Sequence, residues 1–174
     1  MKTLSSLIFL LVITGCNFKN KSTETPLYTL TPIEGSKNLY LTTKEFTGVI
    51  FAPDTLVHAE EGSVEFMPSI EEIYKAEHIF KICLATDKID NDGINLDSTK
   101  IQAPSEYIRQ YVGHKNKNGE KVILLNCFTK KSVGKEDYWK KDIIVVRDGG
   151  DNYFSIQINI TKEDCLSFNL NGTS

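Results

Sequence analysis

The stretch that decides the fold is "YIRQYVGHKNKNGEKVILLNCF", Tyr107 to Phe128. Two strand-like runs flank Asn118-Gly119, the strongest short hairpin signal in a sequence. A two-residue turn there sets Val112 opposite Leu125, Gln110 opposite Cys127 and Tyr111 opposite Asn126. Ile108, Gln110 and Val112 then share a core face with Ile123, Leu125 and Cys127, while Tyr107, Arg109, Tyr111 and Asn126 point the other way. Side chains alternate with a period of two, so a slip of one residue inverts that assignment.

Working outward, "RDGGDNYF" (Arg147 to Phe154) reads as a second turn about Gly149-Gly150. It pairs Val145 with Phe154 and Ile143 with Ile156. Phe154, Ile156, Ile158 and Ile160 line the core face, and Tyr153, Ser155, Gln157 and Asn159 the opposite one. In "TKEDC" a three-residue loop, Lys162 to Asp164, keeps Ile160 with Leu166 and Ile158 with Phe168. These turns predict a four-stranded antiparallel meander over about 106–171.

Upstream, "PSIEEIYKAEHIFKICLA" carries the helix signal. Ser69 and Glu72 form a capping box behind Pro68. Ile70, Ile73, Ala76, Phe80, Cys83 and Leu84 recur on one face, predicting a helix over about 69–86 packed on the meander. Between Leu27 and Val64, one or two short strands are expected. The predicted class is α+β, with an element order that looks cystatin-like. The acidic stretch after the helix fails as a calcium loop: Gly93 at the sixth position puts Lys88 at the first.

The chain has 174 residues and a formal net charge of −3, so neither sign dominates and no nucleic-acid partner is indicated. Lys130–Lys131 and Lys140–Lys141 read as solvated strand ends. No cofactor motif is present, and His58, His78 and His114 are too scattered for a metal site.

The N-terminus carries the clearest address. Residues 4–15 are apolar or small behind Lys2, too short a run for a comfortable membrane span, which needs about 20 residues. "ITGC", Ile13 to Cys16, resembles the bacterial lipobox. That resemblance implies a signal peptide over 1–15 and Cys16 as the acylated mature N-terminus, carrying palmitate-type chains. Two or three chains anchor a protein stably. Residues 16–26 read as a polar tether and 27–174 as one domain, placing the protein in the cell envelope. With Cys16 set aside, Cys83, Cys127 and Cys165 remain, enough for one bridge. Cys83 and Cys127, both assigned to the core, either form that bridge or stay buried and reduced, with Cys165 on the opposite face as the odd one.

The sequence from Ser69 to Gly172 shows RQY-G, an NG turn, N-CF, DGG and a final NG in that order. It resembles a set of small exported Bacteroidetes lipoproteins with no established activity, which implies the fold and the envelope address. Asp54-Thr55-Leu56 and Asp97-Ser98-Thr99 also fit the loose O-glycosylation motif of such bacteria.

Tyr107, Arg109, Tyr111, Asn126, Tyr153, Gln157 and Asn159 form the candidate ligand face. Tyr and Arg are enriched at binding hot spots. The expected function is a non-enzymatic, membrane-anchored module for an unknown protein, peptide or glycan partner, with an inhibitor or immunity protein as one subtype. The alternatives are a small enzyme with a pocket between helix and sheet, and a purely structural envelope component.

Overall fold

The computed structural model describes residues 28–53, 62–86, 101, 103–134 and 137–170. Cys16, the tether and both O-glycosylation motifs lie outside these residues. The described chain forms eight strands and one α-helix: β1 (Thr29–Pro32), β2 (Leu39–Thr42), β3 (Thr47–Ile50), β4 (Val64–Phe66), α1 (Ile70–Thr86), β5 (Tyr107–Lys115), β6 (Lys121–Thr129), β7 (Tyr153–Asn159) and β8 (Asp164–Leu170). They make one mixed sheet in the order β1-β2-β3-β5-β6-β7-β8, with β4 also paired to β5. β3 and β5 run parallel, and every other pair is antiparallel. The four-stranded, cystatin-like arrangement is therefore overturned. The sheet has twice as many strands, and the helix lies in the crossover between parallel β3 and β5.

The helix forms where its pattern places it. The backbone N–H of Ser69 donates to Glu72 Oε2 at 2.8 Å, and Glu72 N–H donates back to Ser69 Oγ at 3.3 Å. Ile73, Ala76, Ile79, Phe80 and Cys83 are buried against the sheet.

The β5–β6 hairpin is shifted by one residue from the expected register: Tyr111 faces Leu125 and Arg109 faces Cys127. The cause lies in the turn. Gly119 N–H donates to Asn116 O, and Asn116 N–H donates to Glu120 O, leaving a three-residue loop of Lys117, Asn118 and Gly119. Gly119 takes a positive φ of 76°, the bulge position of a three-residue hairpin. Asn116 stabilises it, its Oδ1 accepting from the N–H groups of Asn118 and Glu120. The slip swings Tyr107, Arg109 and Tyr111 under the helix and sends Ile108, Gln110 and Val112 to the opposite face.

The expected strand carrying Ile143 and Val145 does not pair with β7, which lies directly against β6. The described parts of the connection from Thr129 to Tyr153 instead pack across the second face of the sheet through Val133, Trp139 and Ile144. There Val49, Phe51, Ile108, Val112, Phe128, Val133, Trp139 and Ile144 form a second buried cluster. Gln110, fully buried on β5, holds this strap in place. Its Nε2 donates to Trp139 O at 2.7 Å and to Asp142 O at 2.8 Å. Its Oε1 accepts from Ile144 N–H at 2.9 Å and from Asn126 Nδ2 at 2.8 Å. All four hydrogen-bonding positions of the amide are filled.

The last hairpin differs too. Ile156 faces Phe168, and Ile158 faces Cys165 after a bulge between Gln157 and Ile158. The bulge moves Cys165 to the helix side, where it bonds to Cys83 across a Cα–Cα distance of 6.6 Å. Cys127 is the free, buried thiol. The expected Cys83–Cys127 pairing is thus corrected, and an irregular strand is the reason: strict alternation would leave Cys165 on the other face.

Candidate functional site

The seven residues of the predicted ligand face separate into three places. Tyr107, Arg109 and Tyr111 are sealed beneath α1 at 1, 2 and 0% exposure. Asn126, Tyr153 and Gln157 lie on the second face, half-buried. Asn126 Nδ2 also donates to Ile144 O, and the Tyr153 hydroxyl donates to Ser132 O, so both help hold the strap. Asn159 shapes the β7–β8 turn, its Oδ1 accepting from Thr161 and Lys162 N–H. No single face gathers all seven.

Beneath the helix the side chains form a closed polar cluster. Arg109 Nε donates to Glu77 Oε1 at 2.8 Å, and Nη2 reaches Oε2 at 3.4 Å. Nη1 donates to the carbonyls of Pro104 and Tyr107. The Tyr111 hydroxyl donates to Glu77 Oε1 at 2.7 Å. The Phe46 ring lies 5.5 Å from the guanidinium. Gly48 makes room for it: a Cβ there would stand 2.5 Å from Arg109 O and 2.7 Å from the Tyr111 ring.

Burial opposes the Arg109 charge, but Glu77 alongside more than offsets it and holds the guanidinium pKa above its usual value. Burial, then the same carboxylate, pushes the Tyr111 phenol well up. Burial likewise raises the Cys127 thiol, the direction of an inert cysteine. The cluster is satisfied from within, and its side chains Glu77, Arg109 and Tyr111 are all buried. Chemically it can lock helix to sheet.

Sequence reasoning missed Glu77, although a signal was present. Glu77 stands four residues after Ile73 and three before Phe80, inside the apolar stripe. A carboxylate in that position demands a buried cationic partner.

The space between helix and sheet is filled. Phe80, Phe154, Ile158 and Phe168 are all at or below 2% exposure. The Phe154 ring centroid lies 5.8 Å from Phe80 and 5.6 Å from Phe168. The pocket on which the small-enzyme alternative depends is therefore occupied by core side chains. Among the described residues, no group of three His, Cys, Asp or Glu side chains could hold a metal ion.

Concavity is found on the second face instead. A cleft of about 320 Å³ lies between the β1–β2 hairpin and the turn at Tyr138–Lys140, lined by Thr31, Pro32, Ile33, Glu34, Tyr40, Asp137, Lys140 and Lys141. Lys140 Nζ sits 2.9 Å from Asp137 Oδ2, over the rings of Tyr40 at 5.1 Å and Trp139 at 5.4 Å. Buried Asn38 fastens the cleft's two walls, donating through Nδ2 to Lys140 O while its Oδ1 accepts from Ala52 N–H. The cleft thus has a rigid frame, an aromatic wall and both signs of charge at its rim. A smaller hollow of about 180 Å³ lies beside the strap at Ile143–Val146.

A scan against protein-family models finds no match, and neither the curated proteins nor the solved structures include a significant one.

Proposed function

We propose that this chain is an exported, lipid-anchored envelope protein that acts as a non-enzymatic interaction module, with the Tyr40–Lys140 cleft as its recognition surface. The observation that carries the address is the Ile13–Cys16 box behind a short apolar run. The Cys83–Cys165 bridge supports it independently, because such bonds persist in oxidising compartments and are rare in the cytosol. The interaction reading rests on the cleft, where the Tyr40 ring and the Lys140 ammonium group held by Asp137 stand together.

The test has two parts, both in intact bacterial cells. Wild-type protein should sediment with membranes and incorporate labelled fatty acid, and Cys16→Ala should take up none; no label in the wild type, or equal label in both, would overturn the anchor. A carboxyl-to-amine cross-linker should then yield an adduct with the wild type that Lys140→Glu/Lys141→Glu loses while still sedimenting. An adduct indifferent to those substitutions, or none with the wild type, would overturn the cleft as the recognition surface.

A further inference from the structure

The place where the described chain begins says which end of the sheet meets the lipid. Thr29 faces Thr42, Thr42 faces Thr47, Thr47 faces Ile108 and Ile108 faces Phe128, so these residues form one row across the sheet. Just beyond the row lie exposed Tyr28, the β2–β3 turn with Lys44 and Glu45, Glu106 at the start of β5, and Lys130–Lys131 at the end of β6. The two segments at β5 and β6 are joined, Lys130 N–H donating to Glu106 O at 3.3 Å. The β5–β6 turn stands at the other end, about 24 Å farther along β5 at the usual rise per strand residue.

Twelve Cα–Cα steps separate Cys16 from Tyr28, a span of at most about 40 Å for a fully extended chain. A domain of this size is itself about 35–40 Å across. The end bearing Tyr28 is therefore the end joined to the anchor, and for the far end to touch the bilayer the domain would have to turn over and the tether span at least about 24 Å. The charge at the near end suits a negative headgroup layer. Glu45 is engaged by Lys81, and among the described residues Glu106 and Asp151, whose carbonyl accepts from the Tyr107 hydroxyl, are acidic groups near Lys44, Lys130 and Lys131. Basic side chains close to a membrane are drawn to anionic lipid within a Debye length.

We propose that the strand-end surface formed by Tyr28, Lys44, Lys130 and Lys131 lies against anionic headgroups in the anchored protein, with the β5–β6 turn pointing away from the membrane. This rests on acylation of Cys16, and the experiment separates the two. Acylated protein is reconstituted in phosphatidylcholine vesicles containing one part in about three of phosphatidylglycerol, with or without bromine on the upper acyl carbons. Tyr28→Trp and Lys117→Trp are compared, Trp139 being retained in both and its emission read from the wild type. The Trp at position 28 should lose most of its added emission to bromine, and the Trp at 117 none. Adding Lys44→Glu/Lys130→Glu/Lys131→Glu should reduce the quenching at position 28. Equal quenching at both positions, or quenching only at 117, would overturn the orientation alone. Quenching at 28 untouched by the triple substitution would overturn the lysines' role. Protein that fails to sediment with vesicles would overturn anchor and orientation together.

Discussion

At the scale of single residues, the cluster beneath the helix shows how one carboxylate organises an interior. Glu77 is buried on α1 and meets Arg109 and Tyr111 from β5. Two charges in such a place gain little net stability as a pair, but removing one strands the other. Arg109→Met alone should lower the unfolding free energy by about 3–5 kcal/mol in urea titrations. Glu77→Leu combined with Arg109→Met should recover most of that loss. A double variant as unstable as the sum of its parts would mean that the pair does not act as a unit.

The surface carboxylates behave differently. Glu45, Glu120 and Glu163 are held below the usual carboxylate range by Lys81, Lys162 and Lys75 respectively. For Glu72, burial acts upward, but the bonds from Lys121 and Ser69 outweigh it and the net shift is downward. A depressed folded pKa stabilises the protein above the unfolded value near about 4.3, and that contribution is lost as pH falls through the folded values. Tyr111 shifts the other way, so its contribution is complete below about pH 10 and declines above it. The urea midpoint should thus stay level from about pH 6 to 9, fall below about pH 4 and fall again above about pH 10. A midpoint that rose below about pH 4 would contradict these assignments.

At the scale of elements, the helix was the most legible part of the sequence, because the capping box and apolar stripe are local signals. Strand pairing was less so. Asn118-Gly119 marks the hairpin, but Asn116 selects a three-residue loop through side-chain bonds that no alternation pattern reveals. That one added loop residue exchanges the two faces of β5. It explains why Tyr107, Arg109 and Tyr111 read as an open ligand face and are core. The strap was hidden for a related reason. "DIIVV" looks like a strand, yet its backbone groups are met by Gln110 and Asn126 side chains rather than by a neighbouring strand. Gln110→Leu removes four hydrogen bonds at one stroke and leaves Trp139 O, Asp142 O and Ile144 N–H without that partner. Each such loss costs about 1–3 kcal/mol. Hydrogen exchange of residues 137–146 should accelerate far more than that of α1. Uniform acceleration, or none, would mean that Gln110 is not what holds the strap.

For the whole molecule, the sheet carries a core on each face, built by α1 on one side and the strap on the other. Both sheet faces are thus covered, and among the described residues concavity is found beside the β1–β2 hairpin and the strap. The β1 and β2 strands that wall the main cleft were only coarsely legible, since short mixed segments carry little periodicity. Its other wall comes from residues about a hundred positions away, which no local pattern joins to the first. The parallel β3–β5 contact, which carries the sheet beyond a simple meander, is equally non-local. The N-terminal box remains the strongest statement about address, and the disulfide is the structural feature that accompanies it. The most direct measurement of the central claim is a non-reducing peptide map of the mature protein taken from bacterial membranes. The expected map has acylated Cys16 at the N-terminus, Cys83 linked to Cys165, and Cys127 as a free thiol. An unacylated Cys16 within a longer chain, or Cys83 linked to Cys127, would contradict it.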